Sequence, residues 1–175
     1  MVKGADKLYN LVSGLDENQA VVVVGQPNDS RSVPIFDQLK KLESADVKGR
    51  YRHQDTLQLL AGARALINTS RNEGFPNVFL EAWALGVPVL SLKVNPGDII
   101  NKHELGICFD GDLEKMKDCV RAGKVPGTDK NKLKEYVRRF HDFKTAGKRF
   151  TMIVNSMKIF TLKLIAVGYE NLFLG

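Results

Sequence analysis

Cysteine is scarce in this chain: its 175 residues hold only Cys108 and Cys119. Two cysteines build no disulfide framework and suit a reducing compartment, so the reading is a cytoplasmic protein. Long apolar runs are missing as well, and no stretch is long enough to span a membrane. The opening Met1-Val2-Lys3-Gly4-Ala5-Asp6 lacks the apolar segment of a secretory signal. Histidine is sparse too. His53, His103 and His141 lie far apart in sequence and form no metal-ligand pattern, so surface or structural roles are expected and no metal is. Zinc-ligand spacings and aromatic RNA-binding motifs are absent, which argues against a nucleic-acid partner despite the net charge of +6. Gly25-Gln26-Pro27-Asn28 lacks the Gly-x-Gly-x-x-Gly of a dinucleotide site, which weakens a Rossmann oxidoreductase reading. There is no internal repeat and no low-complexity segment.

What is present has ordinary globular proportions. Apolar residues make up 43% and charged residues 26%, values typical of a compact domain with a real core. Most of the basic excess reads as solvated surface. Its functional reading is attraction to phosphorylated ligands or to an anionic membrane face.

Helical and strand patterns alternate along the chain. Leu8, Leu11, Val12 and Leu15 form a helical stripe, and Ala20 to Gly25 is a β-branched run suited to a strand buried on both faces. A helix on Ile35, Leu39 and Leu42 follows, then a weaker strand over Val47 to Arg52 and a helix on Leu57, Leu60 and Ala61. Strands over Ala65–Asn68, Val87–Leu92 and Gly106–Phe109 come next, with helices near Leu113–Val120 and Leu133–Phe140. This order predicts an α/β fold with a doubly wound, Rossmann-like parallel sheet and a ligand beyond the carboxyl ends of its strands. Asn68-Thr69-Ser70 matches a glycosylation acceptor, but it ends an apolar strand and is discounted.

The densest signal is Glu73-Gly74-Phe75-Pro76-Asn77-Val78-Phe79-Leu80-Glu81, running on through Ala82-Trp83-Ala84-Leu85-Gly86-Val87-Pro88-Val89-Leu90. It predicts a short helix capped by Asn77 after Pro76, stopped by Gly86, and feeding a buried strand. The helix start presents free N–H groups and a positive dipole end, which suits phosphate. Glu73 and Glu81 cannot also bind phosphate, so they should accept hydrogen bonds from neutral hydroxyls. Phosphate flanked by hydroxyl acceptors describes a nucleotide sugar. Taken alone, Glu81 would merely stabilise a helix N-terminus; with Glu73 and the glycine loop, donor binding is preferred.

These residues resemble the retaining glycosyltransferases of the GT-B fold, family 4, whose signature is two glutamates separated by seven residues. The resemblance extends from Lys3 to about Met157 and implies one half of a GT-B fold. It implies that Glu81 holds the ribose hydroxyls, and that Glu73 holds the donor sugar and steadies charge at the anomeric carbon, the one catalytic assignment. Lys3, from a Lys-Gly loop end at Lys3-Gly4, would contact the donor diphosphate. Gly74, Phe75, Pro76 and Asn77 complete the donor-binding set, with Pro76 offering no N–H. No cofactor or metal is implied, only a nucleoside diphosphate sugar whose sugar passes to an acceptor hydroxyl. Arg71, Arg50, Tyr51, Arg52, Gly25 and Asn95-Pro96-Gly97 are weaker candidates, each with a solvated or structural alternative.

In that family a strand and an arginine precede the Lys-Gly loop. Both are missing here, as is the acceptor-binding half. The expectation is therefore an isolated half that is inactive without an N-terminal acceptor domain or subunit. A non-catalytic nucleotide-sugar-binding or regulatory module is the alternative.

Two units are expected, residues 1–157 as the nucleotide-sugar-binding domain and 158–175 as a C-terminal helix and tail. Phe150, Ile153, Met157, Phe160, Leu164 and Val167 recur at helical intervals, a stripe that suits a second partner and suggests a homodimer. For the whole enzyme, peripheral association with the inner membrane face is a further expectation.

Overall fold

The computed structural model describes residues 4–16, 19–27, 29–123, 125, 129–141 and 163–167, the last segment as backbone alone. Seven helices and six strands are described. In chain order they are α1 (Ala5–Val12), β1 (Val21–Val24), α2 (Val33–Leu39), β2 (Ala45–Gly49), α3 (His53–Ala61), β3 (Ala63–Asn68), α4 (Asn77–Leu85), β4 (Val89–Ser91), α5 (Ile99–Lys102), β5 (Gly106–Cys108), α6 (Leu113–Arg121), α7 (Lys130–Phe140) and β6 (Lys163–Val167). A 3-10 turn over Pro96–Asp98 leads into α5.

The strands form one sheet in the order β2-β1-β6-β3-β4-β5, and every pairing is parallel. The apolar runs have a direct physical reading, because successive side chains point to opposite faces. Val22, Val24, Leu66 and Val89 join one core cluster with Leu57 and Leu60 of α3, Phe79 and Trp83 of α4, and Leu133 of α7. Val21, Val23, Ala65, Ile67 and Leu90 join the other, with Leu8 and Leu11 of α1, Phe36 and Leu39 of α2, and Met116 of α6. A strand covered on both faces has no room for polar alternation, so β1 reads as unbroken apolar text, whereas the edge strand β2 carries Asp46 and Lys48.

After β1 the chain moves outward to β2; from β3 it moves the opposite way through β4 to β5. The direction reverses between β1 and β3. Loops at the carboxyl ends of strands diverge there, and a ligand crevice is expected at that point.

The C-terminal reading needs correction. Residues 163–167 form a strand at the centre of the sheet, not the end of a helix. Val21 to Val24 pair with Leu164 to Val167 on one side, and Leu66 and Ile67 pair with Ile165 and Ala166 on the other. The proposed boundary between 157 and 158 therefore fails, since β6 belongs to the domain's own sheet. Leu164 and Val167 supply no helical dimer surface. Phe150, Ile153, Met157 and Phe160 lie outside the described residues. The physical reason is that a central parallel strand needs a continuous apolar run, and periodicity cannot tell a short one from a buried helix.

Smaller shifts have equally local causes. β2 covers Ala45–Gly49 rather than Val47–Arg52, because its partner β1 sets its limits through the register Val21 with Ala45 to Val24 with Gly49. Arg50, Tyr51 and Arg52 consequently lie in the loop between β2 and α3. Asn77 is the first helical residue of α4, not its cap. Pro76 occupies the cap position with an extended backbone, and the Phe79 amide donates to its carbonyl at 3.0 Å. Proline's fixed φ suits that place and needs no N–H. Gly86 does end the helix, at φ 77°, where a left-handed residue closes the last turn.

Candidate active site at the carboxyl edge of the sheet

β3 ends at Asn68, and Thr69 and Ser70 follow it; all three are buried and polar. Burial of such groups demands partners. Asn68 Oδ1 accepts from the Ser70 amide at 3.1 Å, which turns the chain off the strand. Thr69 Oγ1 donates to the Gly4 carbonyl at 3.0 Å. Gly4 packs so closely here that a Cβ built on it would lie 2.0 Å from the Thr69 carbonyl oxygen, and its φ of 69° disfavours any other residue. Arg71 Nη2 reaches Asp6 Oδ2 at 3.1 Å. The start of α1 and the glutamate loop are thus fastened to one another. Lys3 lies outside the described residues.

Glu73 lies four positions before α4, and its Oε1 is buried with no hydrogen-bond partner among the described residues. A buried carboxylate oxygen with no donor is costly, which makes it an unfilled acceptor rather than a structural one. Gly74 is exposed, and a Cβ added to it would meet nothing within 4 Å. Phe75 is 40% exposed, with its ring 5.4 Å from that of His141. Pro76 is buried and Asn77 exposed.

Glu81 is the fifth residue of α4, with a side chain only 14% exposed. Burial pushes its carboxyl up to about 7, so near neutrality the acid is close to half ionised. Its nearest ionisable neighbour is unexpected. His53 at the start of α3 brings Nε2 to 3.7 Å from Glu81 Oε1, while burial pushes the imidazole below its usual range. The sequence reading gave His53 a surface or structural role, and no local signal tied it to Glu81.

The weaker candidates resolve structurally. Arg71 is engaged by Asp6, and Arg52 grips Asp55 through Nε and Nη2 at 2.8 and 3.2 Å. Asn95 spends its amide inside the turn, accepting from the Ile100 amide and donating to Asp98 Oδ1. The Gly25 amide closes β1 against the Gly49 carbonyl at 2.8 Å.

Residues 1–123 match the family model of the group 1 glycosyl transferases. The chain belongs to the group 1 glycosyltransferases. Solved structures of similar fold agree. AviGT4, a glycosyltransferase involved in avilamycin A biosynthesis, shares 17% identity over 89% of this chain at a TM-score of 0.58. WaaG, a glycosyltransferase involved in lipopolysaccharide biosynthesis, shares 20% over 89% at 0.58, and the lipopolysaccharide outer core galactosyltransferase WaaB in its apo form shares 20% over 89% at 0.61. This group 1 chain covers 47%, 44% and 46% of those three, less than half of each. The matched region contains the glutamate loop, α4, β4 and the starts of α1 and α3. No described helix of this glycosyltransferase chain is long and apolar enough to cross a membrane.

Proposed function

We propose that this chain is the donor-binding half of a retaining, family 4 glycosyltransferase of GT-B architecture. The observation that carries the reading is a pair of carboxylates short of protein donors at the carboxyl edge of the sheet. Among the described residues, Glu73 Oε1 is buried and unpartnered, and the largely covered Glu81 carboxyl faces only the His53 imidazole. A ligand rich in hydroxyl donors supplies what both lack. The open N-terminus of α4 between them suits a phosphate. A nucleoside diphosphate sugar carries both features, with ribose hydroxyls on Glu81 and sugar hydroxyls on Glu73.

In the whole enzyme, the bond between anomeric carbon and diphosphate oxygen breaks, one to the acceptor hydroxyl oxygen forms on the same face, and the acceptor's proton passes to the departing diphosphate. Negative charge gathers on the leaving diphosphate. Lys3, the α4 end and the amides of Gly74, Phe75 and Asn77 would stabilise it as preorganised dipoles and charge, without calling on a divalent metal. Glu73 would steady positive charge at the anomeric carbon. The acceptor site would belong to a second domain or subunit.

Calorimetry with UDP-, GDP- and ADP-sugars tests the binding claim: one should bind, and failure of all three overturns it. Turnover is a separate test. This chain alone should transfer no sugar to an added acceptor, and activity should appear when an acceptor-binding half is supplied. Unaided turnover would overturn the half-enzyme reading. Binding without turnover even in the presence of that half would favour a non-catalytic module.

A further inference from the structure

The α3 start does more than begin a helix. Arg52 takes the cap position with an extended backbone, and this sets His53 beside the second turn of α4. The other charged groups on this turn of α3 are committed to each other, with the Arg52 guanidinium on the Asp55 carboxylate. On α4, Glu81 is the ionisable side chain, and the loop before it contributes Glu73. Among the described residues, His53 is the only hydrogen-bonding or ionic partner shown for Glu81. A carboxylate accepts at about four lone-pair positions, and a neutral imidazole offers one donor. Most of the capacity of Glu81 therefore stays open, and the one protein group beside it can select which oxygen stays open.

We infer that His53 is a positioning residue for Glu81. With a nucleotide bound, its Nε2–H closes on Oε1 as a donor and leaves Oε2 turned toward the vicinal hydroxyls of the ribose. The inference rests on the donor-binding reading above. At 3.7 Å the pair stands just beyond hydrogen-bonding distance. Hydroxyls that hold Glu81 in its ionised form would draw the imidazole in by under an ångström, since a charged acceptor forms the shorter and stronger bond. The 45% exposed His53 side chain has the freedom for that movement. The donor need not be charged, so a glutamine at this place can replace it.

The test compares His53→Gln, which keeps a donor, with His53→Leu, which keeps bulk and removes it. Two readouts are needed. The first is calorimetric affinity at pH 8 for whichever of UDP, GDP and ADP the wild type prefers, each paired with its 2′-deoxy analogue. The second is the carboxyl NMR titration of Glu81 in the nucleotide-bound protein, assigned by its loss in Glu81→Gln. His53→Gln should bind within about threefold of wild type. His53→Leu should bind about tenfold more weakly, lose little further when the 2′-hydroxyl is removed, and move the Glu81 titration upward. A packing role would leave Gln and Leu alike, and wild-type affinity with an undiminished 2′-hydroxyl effect in His53→Leu overturns the inference. His53→Ala repeats the comparison should the leucine variant fail to fold. A wild-type chain that binds none of the nucleotides fails the donor reading itself, and that outcome is visible before any His53 variant is made.

Discussion

Glu81 holds its position at an electrostatic cost. Its carboxyl stands at about 7 in the fold against 4.5 for the free side chain, with burial as the cause. Its pKa is raised, so the fold favours the protonated form. The favourable balance is complete below pH 4.5 and is lost as pH rises through 7. At 1.36 kcal/mol per unit, the difference is about 3 kcal/mol above neutrality. The neighbouring His53 acts in the opposite sense, disfavouring its cation as pH falls. Glu81→Gln should therefore melt higher than wild type at pH 8 and at nearly the same temperature at pH 4.5. The same variant should bind the nucleotide more weakly, by about 1.5–3 kcal/mol for one charged hydrogen bond. Stability that falls at pH 8 would show that Glu81 serves the fold and not a ligand. Gly74 offers a second separation of fold from function. No neighbour would meet its Cβ, so Gly74→Ala should leave stability within about 0.5 kcal/mol of wild type. If a sugar or phosphate passes close to that backbone, calorimetry should nevertheless show at least a tenfold loss of affinity.

At the scale of elements, α4 is the part on which the site depends. Its apolar face is wholly covered, and Trp83 is fully buried with Nε1 donating to the Leu105 carbonyl at 2.9 Å. The ring meets Tyr136 of α7 edge-on at 5.5 Å and Phe79 at 5.7 Å. These contacts hold the helix axis, and therefore the direction in which its N-terminus points. Trp83→Phe removes the donor, leaves the Leu105 carbonyl with the Val89 amide as its remaining partner, and opens a void. It should cost about 2–3 kcal/mol in denaturant titration, with nucleotide affinity falling less than in Glu81→Gln once measured well below the melting temperature. An affinity loss larger than that of the glutamate variant would mean that the helix, and not its carboxylate, limits binding.

For the whole molecule, β6 closes the sheet. It pairs with β1 on one side and β3 on the other, so the two halves of the sheet join through five residues. Proline cannot donate to a ladder and is excluded from central strands. Ile165→Pro should therefore destabilise the chain by at least about 3 kcal/mol, exposing two inner edges that favour aggregation. Light scattering and thermal melts would detect this. A variant that stays monomeric with an unchanged melt would show that the sheet holds without its central strand.

Local chemistry alone determined much of this protein. Four consecutive β-branched valines favoured a strand buried on both faces, and the glycine at position 86 suited a helix end. The two glutamates and the glycine loop between them marked the candidate site because their types and spacing form a local pattern. Other features depended on partners far away in the chain. The helical pattern was misleading at Leu164 and Val167, because the slot between β1 and β3 made residues 163–167 a strand. β1 set the limits of β2 in the same way. Asn77 lost its cap role to the proline beside it. His53 was anonymous in the sequence, and only the packing of α3 beside α4 brought it to Glu81. Periodicity and turn chemistry act within a few residues, whereas strand order, burial and shifted acidity depend on which distant segments the fold brings together.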